Sequence, residues 1–161
     1  MVVEDLKTGD RVVTERGLVS TITWIGHFRV TSADVQLQPV RILADSFGAG
    51  RPSRDLFLSP EHAVFVDGVL VPAQNLVNGD TITSVSMGDV DYYHVMLDHH
   101  DVILAENLPV ESYLPDDDFN KFDNWAGTPA HDLLMMPCAP RITQGARLRA
   151  IRDRLDARVR A

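Results

Sequence analysis

Two short stretches of this 161-residue chain carry side chains able to move protons. The first, Arg54 to Val71, reads RDLFLSPEHAVFVDGVLV, an apolar strand pattern interrupted by Ser59, Pro60, Glu61 and His62. Pro60 fixes φ, and a His three residues after a Ser sets a hydroxyl and an imidazole at one turn between core strands. Imidazole titrates near neutrality, so His62 can act as acid or base. The second stretch is His99-His100-Asp101, followed by the apolar run Val102 to Ala105. Neighbouring side chains on a strand point to opposite faces, so at most one of His99 and His100 faces a shared site. A single histidine beside a core strand is also a common structural hydrogen-bonding group, and on spacing alone both readings stand.

Imidazole also suits zinc, but His62, His94, His99 and His100 follow no ligand spacing, and no carboxylate is assigned with them. No metal and no cofactor are expected. The single cysteine, Cys138, lies in MMPCAPR between two prolines. One cysteine excludes an internal disulfide framework and a multi-cysteine metal cluster, and a buried or incidental thiol is expected here.

The elements that must position these residues are short. Val2-Val3, Val12 to Thr14, Val19 to Ile25, Val35 to Leu43, Thr81 to Val85, Val90 to Leu97 and Val102 to Ala105 are rich in β-branched residues and bounded by Gly-containing turns. This predicts an all-β body, with Gly26 closing a strand and Phe47 to Ser53 forming a loop. Leu6 to Thr14 and Leu76 to Ser84 share one form, Leu, two residues, Gly-Asp, one residue, a β-branched pair, then a hydroxyl residue. The spacing of 70 residues implies two halves of like structure, with Asp55 to Leu70 lacking a counterpart in the first half. Further on, Asp116 to Asp118 is an acidic break, and Phe119, Phe122 and Trp125 are expected to pin an irregular segment to the body. Thr143 is expected to cap a helix to about Val159, with Leu148, Ile151, Leu155 and Val159 on its apolar face.

Composition narrows the function further. With 45% hydrophobic and 24% charged residues, the chain is an ordinary globular protein of one domain. It has no apolar run long enough for a membrane span and no basic, apolar leader, so no membrane association is expected and the chain as written reads as cytoplasmic. From Arg141 onward seven Arg stand against two Asp, a net +5; against the total of −8 this leaves the first 140 residues at −13. Such an acidic body repels phosphates, and no nucleic-acid partner is expected. The basic helix reads as a solvated face or a contact for a protein partner.

The ordered blocks VEDLKTGDRVVT, TITWIG, PVRI, RDLFLSPEHAV, LVPAQNLVNGD and YYHVMLDHHDVILAENLPVESY resemble the bacterial Hint domain, the Hedgehog and intein autoprocessing fold, over about Met1 to Tyr113. CAPRITQG is similar to extensions of such proteins. The resemblance implies a mostly β, Hint-type horseshoe with pseudo-twofold symmetry over residues 1–114. An irregular segment over 115–142 and a basic amphipathic C-terminal helix over 143–161 complete the expected layout. It implies protein autoprocessing by an N–S or N–O acyl shift. A Cys or Ser opening the domain attacks the preceding carbonyl, and a Thr-x-x-His block hydrogen-bonds and protonates the scissile amide nitrogen. Ser59-Pro60-Glu61-His62 matches that block with Ser for Thr, and His100 with Asp101 matches a later one, Asp101 as an orienting or deprotonating group.

The implied partner is the protein's own upstream polypeptide, and a secreted location follows if the chain belongs to a larger precursor. The family nucleophile and its hairpin stand ahead of the counterpart of Val2 to Leu6. The chain as written is therefore expected to be inactive, the alternative function being a non-catalytic structural or binding module that keeps the Hint fold.

Overall fold

Short β-branched runs separated by glycine turns build the molecule, which a computed structural model describes over residues 1–115, 119–127 and 135–160. The acidic run Asp116 to Asp118 and the side chain of Phe119 lie outside the described residues. Eleven strands, all paired antiparallel, form four small sheets among the described residues. β1 (Arg11–Val13) pairs with β2 (Val19–Thr21). β3 (Trp24–Val30) pairs along its length with β9 (Val90–Met96), from Trp24 opposite Met96 to Val30 opposite Val90. β4 (Val40–Ile42) lies between β5 (Leu56–Leu58) and β8 (Ile82–Ser84). The fourth sheet runs in the order β10 (Val102–Ala105), β11 (Leu108–Glu111), β6 (Ala63–Val66) and β7 (Val69–Pro72).

The internal echo is structural. Val3–Asp5 and Ala73–Leu76 each form a 3-10 turn, Gly9 and Gly79 each take positive φ, and β1 and β8 follow. Each half then reaches into the other: Thr14, just after β1, bridges to Ile103, while β8 pairs with β4. The antiparallel sheets and the one α-helix among the described residues make a mostly β fold with a C-terminal helix.

Several local expectations give way to long-range packing. Val3 belongs to a 3-10 turn rather than a strand, and Val35–Leu37 forms another before β4. Gly26 lies inside β3, not at its end. A Cβ there would stand 2.6 Å from Phe122 Cδ1 and would also collide with the Trp24 ring, so bare backbone is required beneath the two aromatics. The helix, α1, spans Ala146–Val159, and its cap is Gly145 at φ +101° rather than Thr143. Leu148, Ile151 and Leu155 enter the main core with Ile42, Val71, Leu76 and Ile82. Burying each such side chain contributes about 2 kcal/mol, which fastens the basic helix to the β body. A second cluster joins Trp24, Met96, Tyr113 and Phe122, the last only 1% exposed; of the expected aromatic pins Phe122 is buried on the body, while Trp125 is 50% exposed.

Candidate functional site

His62 sits at the entry of β6, in a turn closed by its own N–H donating to the Ser59 carbonyl at 3.1 Å. The end of β7 holds that turn from the other side: Ala73 N–H donates to His62 O and Gln74 N–H to Pro60 O, both at 3.0 Å. Pro60 cannot donate to a ladder, which is why the strand pattern breaks here and leaves the His62 ring free to project. The ring is the meeting point of two hollows. A cavity of about 560 Å³ is lined by Glu61, His62, His94, His100, Glu111 and Arg141, among others. A cleft of about 520 Å³, lined by Met1, Leu56 and Ser59 among others, also reaches His62, His94 and Glu111.

Glu111, at the end of β11, organises the shared wall. Its carbonyl lies 3.0 Å from His62 Nε2 and can only accept, so Nε2 carries the proton. Its Oε1 accepts Ala63 N–H at 2.8 Å and Arg141 Nη1 at 2.9 Å, and its Oε2 stands 3.6 Å from His100 Nε2, a charge contact rather than a hydrogen bond. Burial works to raise the Glu111 pKa, but His100, His62, Arg141 and the Ala63 N–H outweigh it and hold it at about 2. The site therefore keeps a fixed negative charge. Burial, above all, lowers the His62 pKa below its ordinary value, with Arg141 adding to the effect against the opposing pull of Glu111. His94 stacks on His62, ring centres 5.7 Å apart and planes 21° from parallel. Burial first, then His62 and Lys121, push the His94 pKa down to about 3. Both rings are neutral near pH 7.

His100 is 4% exposed in the same wall. Burial opposes a charge on it, but the neighbouring Cys138 and the Glu111 carboxylate prevail and push its pKa up to about 9. The Cys138 N–H pulls the other way, since it donates to His100 Nδ1 at 3.0 Å and needs a lone pair there. That geometry describes the neutral ring with its proton on Nε2; charging the ring requires the Cys138 N–H to turn away.

The structure thus brings His62 and His100 to one cavity through Glu111, and sets Ser59 on the cleft side. Asp101 is not brought to either ring. Its Oδ1 accepts Val102 N–H at 2.8 Å, its Oδ2 faces His99 at 3.3 Å, and its backbone pairs with Ser112. The carboxylate facing His100 is that of Glu111; the adjacent pair lies in the bend between β9 and β10 rather than on a strand, with His99 exposed and His100 buried. Among the described residues no group of three His, Cys, Asp or Glu side chains is placed to hold a metal ion. No described helix is long and apolar enough to cross a membrane.

Glu111 and Arg141 escape a reading of local motifs. The one sequence signal is a carboxylate in the apolar β11 pattern, where Leu108, Val110 and Ser112 alternate inward as buried neighbours. Arg141 comes from a strap over 137–142. Leu70 N–H donates to Pro140 O at 2.8 Å and Ile142 N–H to Leu70 O at 2.9 Å, adding the strap in parallel along β7. Arg141 Nη2 then reaches the carbonyl and the carboxylate of Glu61.

No curated protein matches the chain. Two solved structures of the MchDnaB-1 intein resemble it at 13% identity. One gives a TM-score of 0.49 over 70% of this chain and 89% of that one, the other 0.48 over 68% and 88%. The sequence matches the Hint domain family over residues 1–117, the stretch that contains all eleven strands and the His62, His100 and Glu111 wall. The chain therefore belongs to the Hint domain family of autoprocessing proteins.

Proposed function

We propose that the chain acts in autoprocessing of its own precursor, with His62 carrying the proton of an N–S or N–O acyl shift. The observation that supports this most is the setting of the His62 ring. Nε2–H is held by the Glu111 carbonyl, while the ring stands where cleft and cavity meet. Nδ1 is then the nitrogen offered to a reacting group, and a pKa below the ordinary value keeps it a free base near neutral pH.

In this reading the polypeptide joined to Met1 supplies a Cys or Ser and lies in the cleft. The nucleophile attacks the carbonyl carbon, its proton passes to His62 Nδ1, and His62 returns that proton to the amide nitrogen as the C–N bond breaks. A thioester or ester remains. The Glu111 carbonyl orients the ring, and its carboxylate stabilises the transient imidazolium. Ser59, at the cleft edge, positions the scissile amide, and no metal enters the scheme.

The test is intact-mass analysis of the chain expressed with its native upstream residues and exposed to an external thiol. Release of the upstream segment by wild type, and its loss in His62→Ala, is the expected pair of results. An uncleaved wild type, or unchanged release in His62→Ala, contradicts the reading.

A further inference from the structure

Glu61, His62 and Ala63, consecutive in sequence, are tied to the same two partners, Glu111 and Arg141. The Glu61 carbonyl, in the peptide bond that carries the His62 nitrogen, accepts Arg141 Nη2. His62 Nε2 meets the Glu111 carbonyl at 3.0 Å, and the Ala63 N–H donates to Glu111 Oε1 at 2.8 Å. Arg141 closes the circuit, since its Nη1 donates to that same Oε1 at 2.9 Å while its Nη2 also reaches Glu61 Oε2 at 3.2 Å. One guanidinium thus holds the backbone at the root of the His62 ring and the residue that accepts its Nε2–H.

Arg141 is itself held. Leu70, 1% exposed in β7, donates to the Pro140 carbonyl at 2.8 Å and accepts from Ile142 N–H at 2.9 Å, so the strap is a short parallel addition to the sheet that carries β6 and β11. The strap lies beyond the residues 1–117 that match the family. A planar guanidinium with five donors can grip a carbonyl and two carboxylates in one fixed geometry, whereas an ammonium is a point charge on a flexible stem.

We propose that Arg141 is a positioning residue for His62: the strap locks the Glu61–His62 turn to the end of β11 and so fixes the direction of the ring and of its Nδ1. The link to the acyl shift rests on the function proposed above; the hold on the ring does not. The site is complete only when the C-terminal strap is docked, which couples the reactive setting of His62 to the folding of residues after the Hint body.

The test compares wild type, Arg141→Gln and Arg141→Lys, each shown by thermal melting to be folded at the assay temperature. In the chain with its native upstream residues, thiol-dependent release followed by intact mass is expected to slow on the order of 100-fold in Arg141→Gln and about tenfold in Arg141→Lys, since lysine keeps the charge but not the fork. Nitrogen NMR of the histidines in the chain from Met1 reads the ring separately. Wild type is expected to show His62 as the Nε2–H tautomer, with the Nδ1–H form appearing beside it in Arg141→Gln. With Glu111 and His94 still facing the ring, loss of the Arg141 cation also moves the His62 titration upward. An Arg141 that serves stability alone lowers the melting temperature but leaves the release rate and the His62 signals of folded protein as in wild type, and that result overturns the proposal. If Arg141→Gln does not fold, Arg141→Lys decides by the same two readouts. Wild type that releases nothing removes the function proposed above, and the NMR comparison then decides the positioning of the ring alone. Release by wild type, with rate and signals unchanged in the variants, removes this proposal and keeps that function.

Discussion

Glu111→Gln isolates the charge at the centre of the shared wall while keeping its shape. The native carboxylate accepts two charge-assisted or backbone bonds, from Arg141 at 2.9 Å and Ala63 at 2.8 Å, and faces His100 at 3.6 Å. A hydrogen bond to a charged group contributes about 2 kcal/mol and a neutral one about 1 kcal/mol, so neutralising Glu111 costs about 2 kcal/mol over the two bonds. The Arg141 side chain is 38% exposed, and solvent screening keeps its share at the low end. For a chain of this length that corresponds to a fall in Tm of about 4–8 °C. The folded pKa, at about 2, lies below the ordinary 4.5. Its contribution is therefore complete above about pH 4.5 and vanishes as pH falls through about 2. Urea denaturation of wild type and variant at neutral pH and again near pH 2 measures both statements. A difference below about 0.5 kcal/mol at neutral pH, or one that persists undiminished near pH 2, refutes the placing of this charge.

Three further outcomes follow from the packing and the buried rings. His94→Phe keeps the stack on His62 but removes a base held down to about 3 against an ordinary 6.5. The neutral ring's contribution is complete above pH 6.5 and is lost as pH falls through about 3, so the acid limb of stability over that window flattens in the variant, as read by melting temperature against pH. Gly26→Ala forces a methyl group against Trp24 and Phe122 and lowers stability by about 2 kcal/mol in chemical denaturation. Ile151→Ala removes a side chain 1% exposed in the main core and costs about 3 kcal/mol in the same single transition that unfolds the β sheets; a separate helix transition contradicts the docking of α1.

Much of the architecture is legible where neighbours in sequence determine it. The Gly-Asp echo, the short strands and the apolar stripe Leu148, Ile151 and Leu155 all depend on periodicity and turn chemistry, and they recur in the structure. The Ser59 to His62 interruption likewise recurs as a polar turn between β5 and β6, because Pro60 cannot donate to a ladder. Contacts across long loops leave no such trace. Glu111 meets Ala63 from 48 residues away and Arg141 meets Glu61 from 80. Asp101, adjacent to His100 in sequence, points instead to Val102 N–H and His99, since the bend between β9 and β10 has no strand periodicity to fix side-chain direction. Gly26 looks like a turn residue, yet Trp24 and Phe122 need its missing Cβ in mid-strand.

The central claim is that His62 is a neutral base with its proton on Nε2 and Nδ1 presented to the reacting amide. Nitrogen NMR of the imidazoles through a pH titration reads tautomer and charge directly. The account predicts His62 as the Nε2–H tautomer at neutral pH, taking up its second proton only below the ordinary 6.5. A His62 ring protonated on Nδ1 alone, or an imidazolium at neutral pH, contradicts it.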